Sequence, residues 1–395
     1  MKLIGEYISP AYPDKLANRI IKQIVQFVLR NAGDAICNLK CSIFKEEVLI
    51  SGFIIHNSDK DFFNYWEIET FIIKMTYNEY GYWYDMPSDL PIDENNPRAI
   101  FNLRPKVKNI KITFNVNITK DREKLDKYKK YVMDQTSITG YAVNCEETNY
   151  VPVAQYLASK IGKGYDYYVK YNSHSYKCYC DGTYVNGISN SFKILVCLNY
   201  DGEEYTYDQI IVNLETNGKT RYEQNQKGYD IKKAFKKYVY DDLVSFKSQE
   251  LKLLNKVSDD DVTYNLIKEG YSNIGGPYIV PGISGKKLYD NGPEVPVANR
   301  SFVGKDYYSI DYCGLIKADE VATNLVKEYG YHSVIVNVKY LANTIEPYFL
   351  EAYAISKTGE RTKIDDDKLP HKSSFSKKAI FNDIDIKKAF NKSHY

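Results

Sequence analysis

Two stretches, far apart in the chain, carry the residues best suited to chemistry. Ser9 to Asn31 opens with a proline-rich turn, sets an acid and a base side by side at Asp14 and Lys15, and runs into an apolar-striped segment. Gly275 to Asp311 carries Gly275-Gly276, Ser284-Gly285-Lys286-Lys287, Gly304-Lys305-Asp306 and finally Asp311. Glycines let a backbone come close to a ligand, and lysines bring point charges to phosphate oxygens. Asp14 and Asp311 are candidate holders of a magnesium ion, which keeps most of its waters and leaves room for phosphate oxygens. An acid in a first helical turn is favoured by the helix dipole, and the free N–H groups there can bind an anion. The chemistry expected of this pattern is polyphosphate binding. Taken alone, Asp14 and Lys15 read equally as a charge pair at a helix start.

Several alternatives drop out. No GxxxxGK[ST] and no GxGxxG occurs, so the phosphate site is neither a P-loop nor a dinucleotide fingerprint. The histidines, His56, His174, His332, His371 and His394, lie far apart and suggest no nucleophile–base pairing. The seven cysteines include no CxxC pair and no signal peptide is visible, which points to reduced thiols in a cytoplasmic protein. A net charge of +2 gives no bulk reason to expect nucleic acid or an acidic membrane, so an anionic ligand must be met by a local cluster. No apolar run approaches the ~20 residues of a membrane span.

The elements that must position these residues follow from periodicity. Lys2 to Tyr7 reads as a short strand. Leu16, Ile20, Ile24 and Phe27, backed by Ile21, Val25 and Val28, recur at helical spacing, with Gly33 to end the helix. Ile36 to Ile55 reads as two strands joined at Lys45 to Glu47. A second helix is expected over Asp61 to Tyr80, with Trp66, Phe71 and Met75 in the core. Met86 to Pro105 is loop-rich and Val107 to Asn117 alternates like a strand. Thr119 to Lys130 is densely charged, without an apolar face, and is expected as a solvated helix or a mobile loop. Helices are expected at Val153 to Ile161, Ile231 to Phe246, from Asp311 through Leu325, and from Asp385. Strands are expected over Tyr176–Tyr184, Phe192–Leu198, Asp208–Leu214, and as a pair within His332 to Ile355. The run Ile231-Lys-Lys-Ala-Phe235 recurs as Ile386 to Phe390, in keeping with repeated strand–helix units. Strand pairs alternating with helices predict α+β layers rather than a doubly wound parallel sheet.

Set in order, these segments resemble the methionine adenosyltransferase, or S-adenosylmethionine synthetase, family. Glu6 to Lys15 (EYISPAYPDK) is similar to its ESxxxGHPDK opening, and Asp134 to Ala142 (DQTSITGYA) to its DQGxMFGYA segment. Gly275 to Pro277, Ser284 to Lys287 and Ser301 to Asp311 are similar to its GGP, TGRK and AFSGKDxxxxD series, with Asn324 to Val326 and Glu346-Pro347 as later landmarks. The resemblance implies three similar strand–helix domains with pseudo-threefold symmetry, over residues 1–118, 131–262 and 270–395. It implies dimers or tetramers with active sites buried between subunits, and ATP and methionine as ligands. Asp14 and Asp311 match magnesium carboxylates. Lys287 and Lys305 match phosphate-contacting lysines, Lys15 and Asp134 match site-lining residues, and Lys286 stands for an arginine.

The departures from the family pattern are as informative. Tyr12 stands where the family has its catalytic histidine, and Phe53 where a glutamate binds the methionine ammonium. Val280 replaces an aspartate, Ser309 a methionine-site lysine, and Tyr271-Ser272 an Arg-Phe that holds adenine. Lys170 and Asn172 fall where the family has Asp-x-Lys. Lys40 falls on a potassium-binding glutamate, which implies that its ammonium takes the place of that ion. Three functions follow as expectations: a degenerate subunit completing an interfacial site with a catalytic paralogue, an autonomous divergent enzyme, or a non-catalytic nucleotide-binding or scaffold protein.

Overall fold

A computed structural model of the chain describes residues 1–45, 47–80, 110–172, 179–180, 183–184, 188–216, 254–255, 262–266, 280–286, 288 and 302–392. The expected helix at Ile231 to Phe246, the loop-rich Met86 to Pro105, Tyr271-Ser272, Gly275-Gly276 and Lys287 lie outside these residues. In chain order the elements are β1 (Lys2–Ile8), α1 (Pro13–Ala32), β2 (Ala35–Phe44), β3 (Glu47–His56), α2 (Tyr65–Tyr80), β4 (Lys111–Lys120), α3 (Arg122–Lys130) and β5 (Thr136–Val143). There follow α4 (Val153–Asn172), β6 (Tyr179–Cys180), β7 (Thr183–Tyr184), β8 (Ile188–Tyr200), β9 (Tyr205–Thr216), β10 (Leu254–Asn255), β11 (Val262–Leu266) and β12 (Gly282–Ile283). The last are α5 (Ile310–Tyr329), β13 (Ser333–Tyr340), β14 (Phe349–Ile355), β15 (Arg361–Lys363), α6 (Lys377–Asp383) and α7 (Ile386–Lys392).

The architecture is α+β. Three 20-residue helices, α1, α4 and α5, are each followed by a long antiparallel strand pair, β2–β3, β8–β9 and β13–β14, with the short β6–β7 pair between α4 and β8. Each helix packs on the sheet that holds its own pair. The strand that precedes each helix joins a different sheet. β1 pairs with β8, β5 with β13, and β12 with β2, all antiparallel. The exchange is therefore cyclic. At each exchanged strand a glycine meets helix backbone: Gly5 meets Ala154, Gly140 meets Ala318 and Gly282 meets Pro13, where any Cβ would collide.

α1 forms where the apolar stripe dictates. Leu16, Ile20, Ile21, Ile24 and Val28 are fully buried, each contributing about 2 kcal/mol of transfer free energy. Pro13 occupies its first turn and Gly33, at φ 75°, ends it. The β2–β3 pair matches its expectation, and Lys45 takes the left-handed conformation at its turn (φ 53°).

Several expectations are corrected. In α2 Phe71 and Met75 pack half-buried against the core as expected, but its fully buried residues are Ile68 and Ile72, and Trp66 is 74% exposed. The β-branched residues four apart, rather than the large aromatic, define the buried face. The charged segment after β4 is not apolar-free. It forms α3, capped by the Asp121 side chain, with Leu125 buried against Ile36 and Ile55 and Tyr128 packed beside it. Two apolar residues three apart suffice to dock a single-faced helix. The helix starting at Val153 runs to Asn172, well past Ile161. Helix α6 has no counterpart among the expected elements. Among the described residues no helix is long and apolar enough to cross a membrane.

Candidate functional site

Strand β2 organises the site. β3 covers one of its edges, and the other would expose N–H groups that need partners. The second chemical stretch supplies them one after another. Ile43 and Ser42 pair with β12. The Cys41 N–H donates to Ser284 Oγ at 2.9 Å, and the Cys41 carbonyl accepts the Ser284 N–H at 2.9 Å. The Leu39 N–H donates to the Gly304 carbonyl at 2.8 Å, Asn38 bridges Lys305, and the Cys37 N–H donates to Asp306 Oδ2 at 2.8 Å. Gly304 sits at φ 84°, and a Cβ there would run into the Leu39 carbonyl oxygen. Only glycine fits that conformation so close to another backbone.

The first stretch clamps the same segment from the other side. Asp14 Oδ1 accepts the Ile283 N–H at 2.9 Å. Asn18 Oδ1 accepts the Gly285 N–H at 2.7 Å, and its amide donates to the Lys286 carbonyl at 3.0 Å. The two stretches therefore meet, through backbone hydrogen bonds to the side chains of α1.

A cleft of about 370 Å³ opens on the face of this sheet that α1 does not cover. Ile36, Asn38 and Phe53 form its floor. Tyr128 of α3, the Met133 to Thr136 segment, Lys305, the start of α5 at Ser309 to Asp311, and Lys377 of α6 form its walls. The volume suits a small ligand. Asp311 is its central carboxylate. Its Oδ1 accepts the Thr136 hydroxyl at 2.7 Å, and its Oδ2 accepts the Lys305 ammonium at 2.6 Å and the Ser309 hydroxyl at 3.1 Å. Asp311 also lies in the first turn of α5, where the helix dipole favours its charge.

Behind this pair lies a buried polar group. Asp306 is fully buried; its Oδ1 accepts the Tyr308 N–H at 2.8 Å, and its Oδ2 accepts the Tyr128 hydroxyl at 3.3 Å beside the Cys37 N–H. Burial pushes its carboxyl up to about 6, against the pull of the Cys37 N–H and the Lys377 charge. Burial likewise raises the Tyr128 hydroxyl well above its usual range, with Asp306 adding to it. Lys377 is 2% exposed, donates to the Tyr128 carbonyl at 2.6 Å and sits 4.1 Å over the Tyr128 ring. Lys40, on the cleft side of β2, is lowered by burial and then by the neighbouring Lys305 charge, with Asp311 opposing.

The cleft thus gathers Lys305, Asp311 and Asp134, the last at its exposed rim, with Lys40 alongside. It does not gather Asp14, Lys15, Lys286 or Tyr12. Asp14 is buried as the clamp on β12, Lys286 is exposed, and the Tyr12 ring lies beneath the Lys193 ammonium at 4.6 Å. Phe53 and Ser309 line the cleft, while Val280 lies on the surface at 37% exposure. Lys170 and Asn172 fall on the backbone of α4. The sequence assigned no individual role to Thr136, Tyr128, Asp306 or Lys377. Asp306 carried a signal, as the neighbour of Lys305 in a glycine-led turn. Lys377 carried none, in a lysine-rich tail.

Among the described residues no three His, Cys, Asp or Glu side chains gather to hold a metal ion. Both oxygens of Asp311 already accept hydrogen bonds, one of them from an ammonium. The donor set does not fit a resident magnesium held by the protein alone. One carboxylate is, however, enough for an ion that arrives on phosphate oxygens.

No family model matches the chain. The chain is similar to proteins named S-adenosylmethionine synthase. That of Christiangramia forsetii is 21% identical over 356 residues, covering 89% of this chain and 77% of the relative. Those of Flavobacterium johnsoniae and Azobacteroides pseudotrichonymphae are 22% and 23% identical over 359 and 366 residues, covering 89% of this chain and 78% and 77% of theirs. Among solved structures, one described as an unusual S-adenosylmethionine synthetase from Campylobacter jejuni shares the fold. Its TM-score is 0.69 at 18% identity, over 96% of this chain and 88% of that one.

Proposed function

We propose that this chain, a divergent member of the S-adenosylmethionine synthetase family, takes part in S-adenosylmethionine formation as a subunit that contributes a phosphate-binding half-site and relies on a catalytic paralogue for the rest. One observation carries the reading. Lys305, Asp311 and Thr136 are locked together in the cleft, an arrangement that supports a phosphate half-site, while among the described residues Tyr12 is outside the cleft and no acidic group stands at Phe53. Tyr12 stands at the position of the family's histidine, under a lysine and outside the cleft, and apolar Phe53 faces the cleft where a methionine-binding glutamate is expected.

The division of labour has a physical logic. A triphosphate leaving group needs cations set around it in advance. Lys305 and Lys40 supply fixed charge, and Lys40 takes the part of a bound potassium ion. Asp311 would be the carboxylate to meet a magnesium ion carried on the phosphates, which would neutralise leaving-group charge, and Lys305 holds its ammonium beside it. Asp14 lies outside the cleft, buried as the clamp on β12, and has no part in this half-site.

The test is product formation from ATP and methionine, followed by chromatography, with the chain alone, with an intact family member from the same source, and with that member alone. The expected result is no product from the chain alone and more product from the mixture than from the intact member. Product from the chain alone would establish the autonomous enzyme instead. Nucleotide binding without any effect on the mixture would leave a non-catalytic binding or scaffold protein.

A further inference from the structure

The C-terminal helices bring one residue into the cleft that no motif marks. Lys377 begins α6 and lines the cleft with Lys305, Ser309 and Asp311, its ammonium donating to the Tyr128 carbonyl. The surrounding chain fixes it there. Phe375 is fully buried and its carbonyl accepts the Tyr340 hydroxyl at 2.9 Å, while Ser376 caps α6 by accepting the Ala379 N–H at 3.3 Å. A lysine held on a packed helix start loses less entropy on meeting a ligand than a free surface lysine.

Its own partners leave it underused. An ammonium has three donors. Among the described residues the one hydrogen-bond acceptor of Lys377 is the Tyr128 carbonyl. Asp306 and Asp311 both favour its charge, but the Asp306 oxygens serve the Cys37 and Tyr308 N–H groups and the Tyr128 hydroxyl, and those of Asp311 serve Thr136, Lys305 and Ser309. The elevated pKa of Asp306 also means that it carries less than a full charge near pH 6. Burial lowers the Lys377 ammonium from its usual range, so a cleft-lining lysine with one hydrogen bond and one ring contact is favoured as a cation when an anion arrives beside it.

We propose that Lys377 is an anion-holding residue of the cleft, binding a phosphate group of the ligand together with Lys305. This rests on the reading that the cleft takes polyphosphates. It adds a contact from the far C-terminal helices, and explains why a lysine is tolerated at 2% exposure in the wall of a cleft. The simpler alternative is a lysine that only braces α3 through the Tyr128 carbonyl.

The experiment is calorimetric titration of the full-length chain with inorganic pyrophosphate, using wild type, Lys377→Met and Lys378→Met. Methionine keeps most of the volume and apolar stem of lysine. Lys378 is the exposed neighbour on the same helix and controls for the general loss of one positive charge. The expected result is a loss of about tenfold or more in affinity for Lys377→Met, the usual scale for one charged hydrogen bond, with Lys378→Met close to wild type. Equal binding by a folded Lys377→Met overturns this inference and leaves the cleft reading intact. No binding by wild type overturns both. If Lys377→Met does not fold, wild type still decides. Pyrophosphate should slow the chemical acylation of Lys377, followed by peptide mass spectrometry, without slowing that of Lys378; an unchanged rate at Lys377 overturns the inference.

Discussion

Replacing Asp306 by asparagine tests the buried polar group directly. Asp306 titrates from 3.8 when unfolded to about 6 when folded, because burial disfavours its charge. The folded state therefore binds the proton more tightly. Between about pH 4 and 6 the folded chain carries more protons than the unfolded one, so this residue's contribution is fully present below about pH 4 and is lost as pH rises through about 6. Roughly two pKa units at about 1.36 kcal/mol each amount to about 3 kcal/mol. An asparagine side chain cannot titrate, so Asp306→Asn removes the pH-dependent part. It also carries a constant cost, since the two carboxylate oxygens accept the Cys37 and Tyr308 N–H groups separately and an amide offers only one acceptor. That cost is about 1–3 kcal/mol. The measurement is urea unfolding of both proteins at closely spaced pH values from about 4 to 8. Taking the difference cancels carboxylates with the opposite behaviour, such as Asp59 held low by Lys120 and Asp208 by Lys2. The destabilisation caused by Asp306→Asn should shrink by about 3 kcal/mol from pH 4 to pH 7. Curves that stay parallel across that range would refute the claim that burial governs this carboxylate.

Two further predictions concern the way the site is assembled. Gly304→Ala should cost more than about 2 kcal/mol in urea unfolding, because a left-handed alanine is strained and its Cβ meets the Leu39 carbonyl; a neutral change would mean that the 302–306 segment does not lie on the edge of β2. Pyrophosphate affinity of the wild type should be the same in potassium and in tetramethylammonium salts of equal strength, and Lys40→Ala should weaken it about tenfold and introduce a potassium requirement; a potassium requirement already present in the wild type would remove Lys40 from its assigned role.

The parts of this structure that can be read in the sequence are those governed by local periodicity. The stripe Leu16, Ile20, Ile24 names α1 because a helix buries every third or fourth residue, and the β2–β3 pair shows itself through its alternation. Local pattern fails where burial comes from distant contacts. Tyr128 and Leu125 look solvated in a run of charges, since nothing nearby in sequence announces that β2 and β3 will supply Ile36 and Ile55 as their neighbours. Lys305, Asp311 and Asp134 are nameable through short motifs. Lys377 is not, because its role depends on α6 folding back against α3, and a lysine among lysines bears no mark of burial. Asp14 is nameable by type, but its use as a backbone clamp on β12 depends on a partner 269 positions away.

The cyclic exchange of strands has a consequence for how the chain is made. Cys41 and Ser284 are separated by 243 positions, yet the edge of β2 is finished only when they meet. A ribosome adding about 5–20 residues per second takes roughly 12–50 s to cover that distance. Throughout that interval the nascent β2–β3 pair carries an open edge ready to recruit another strand. Contacts of such long range also make for slow folding, since loop closure must precede any gain. The chain should therefore depend on its synthesis being completed: products cut short before residue 306 should accumulate in aggregates or on chaperones, and the last third of the sequence should be as necessary to the N-terminal sheet as that sheet's own strands.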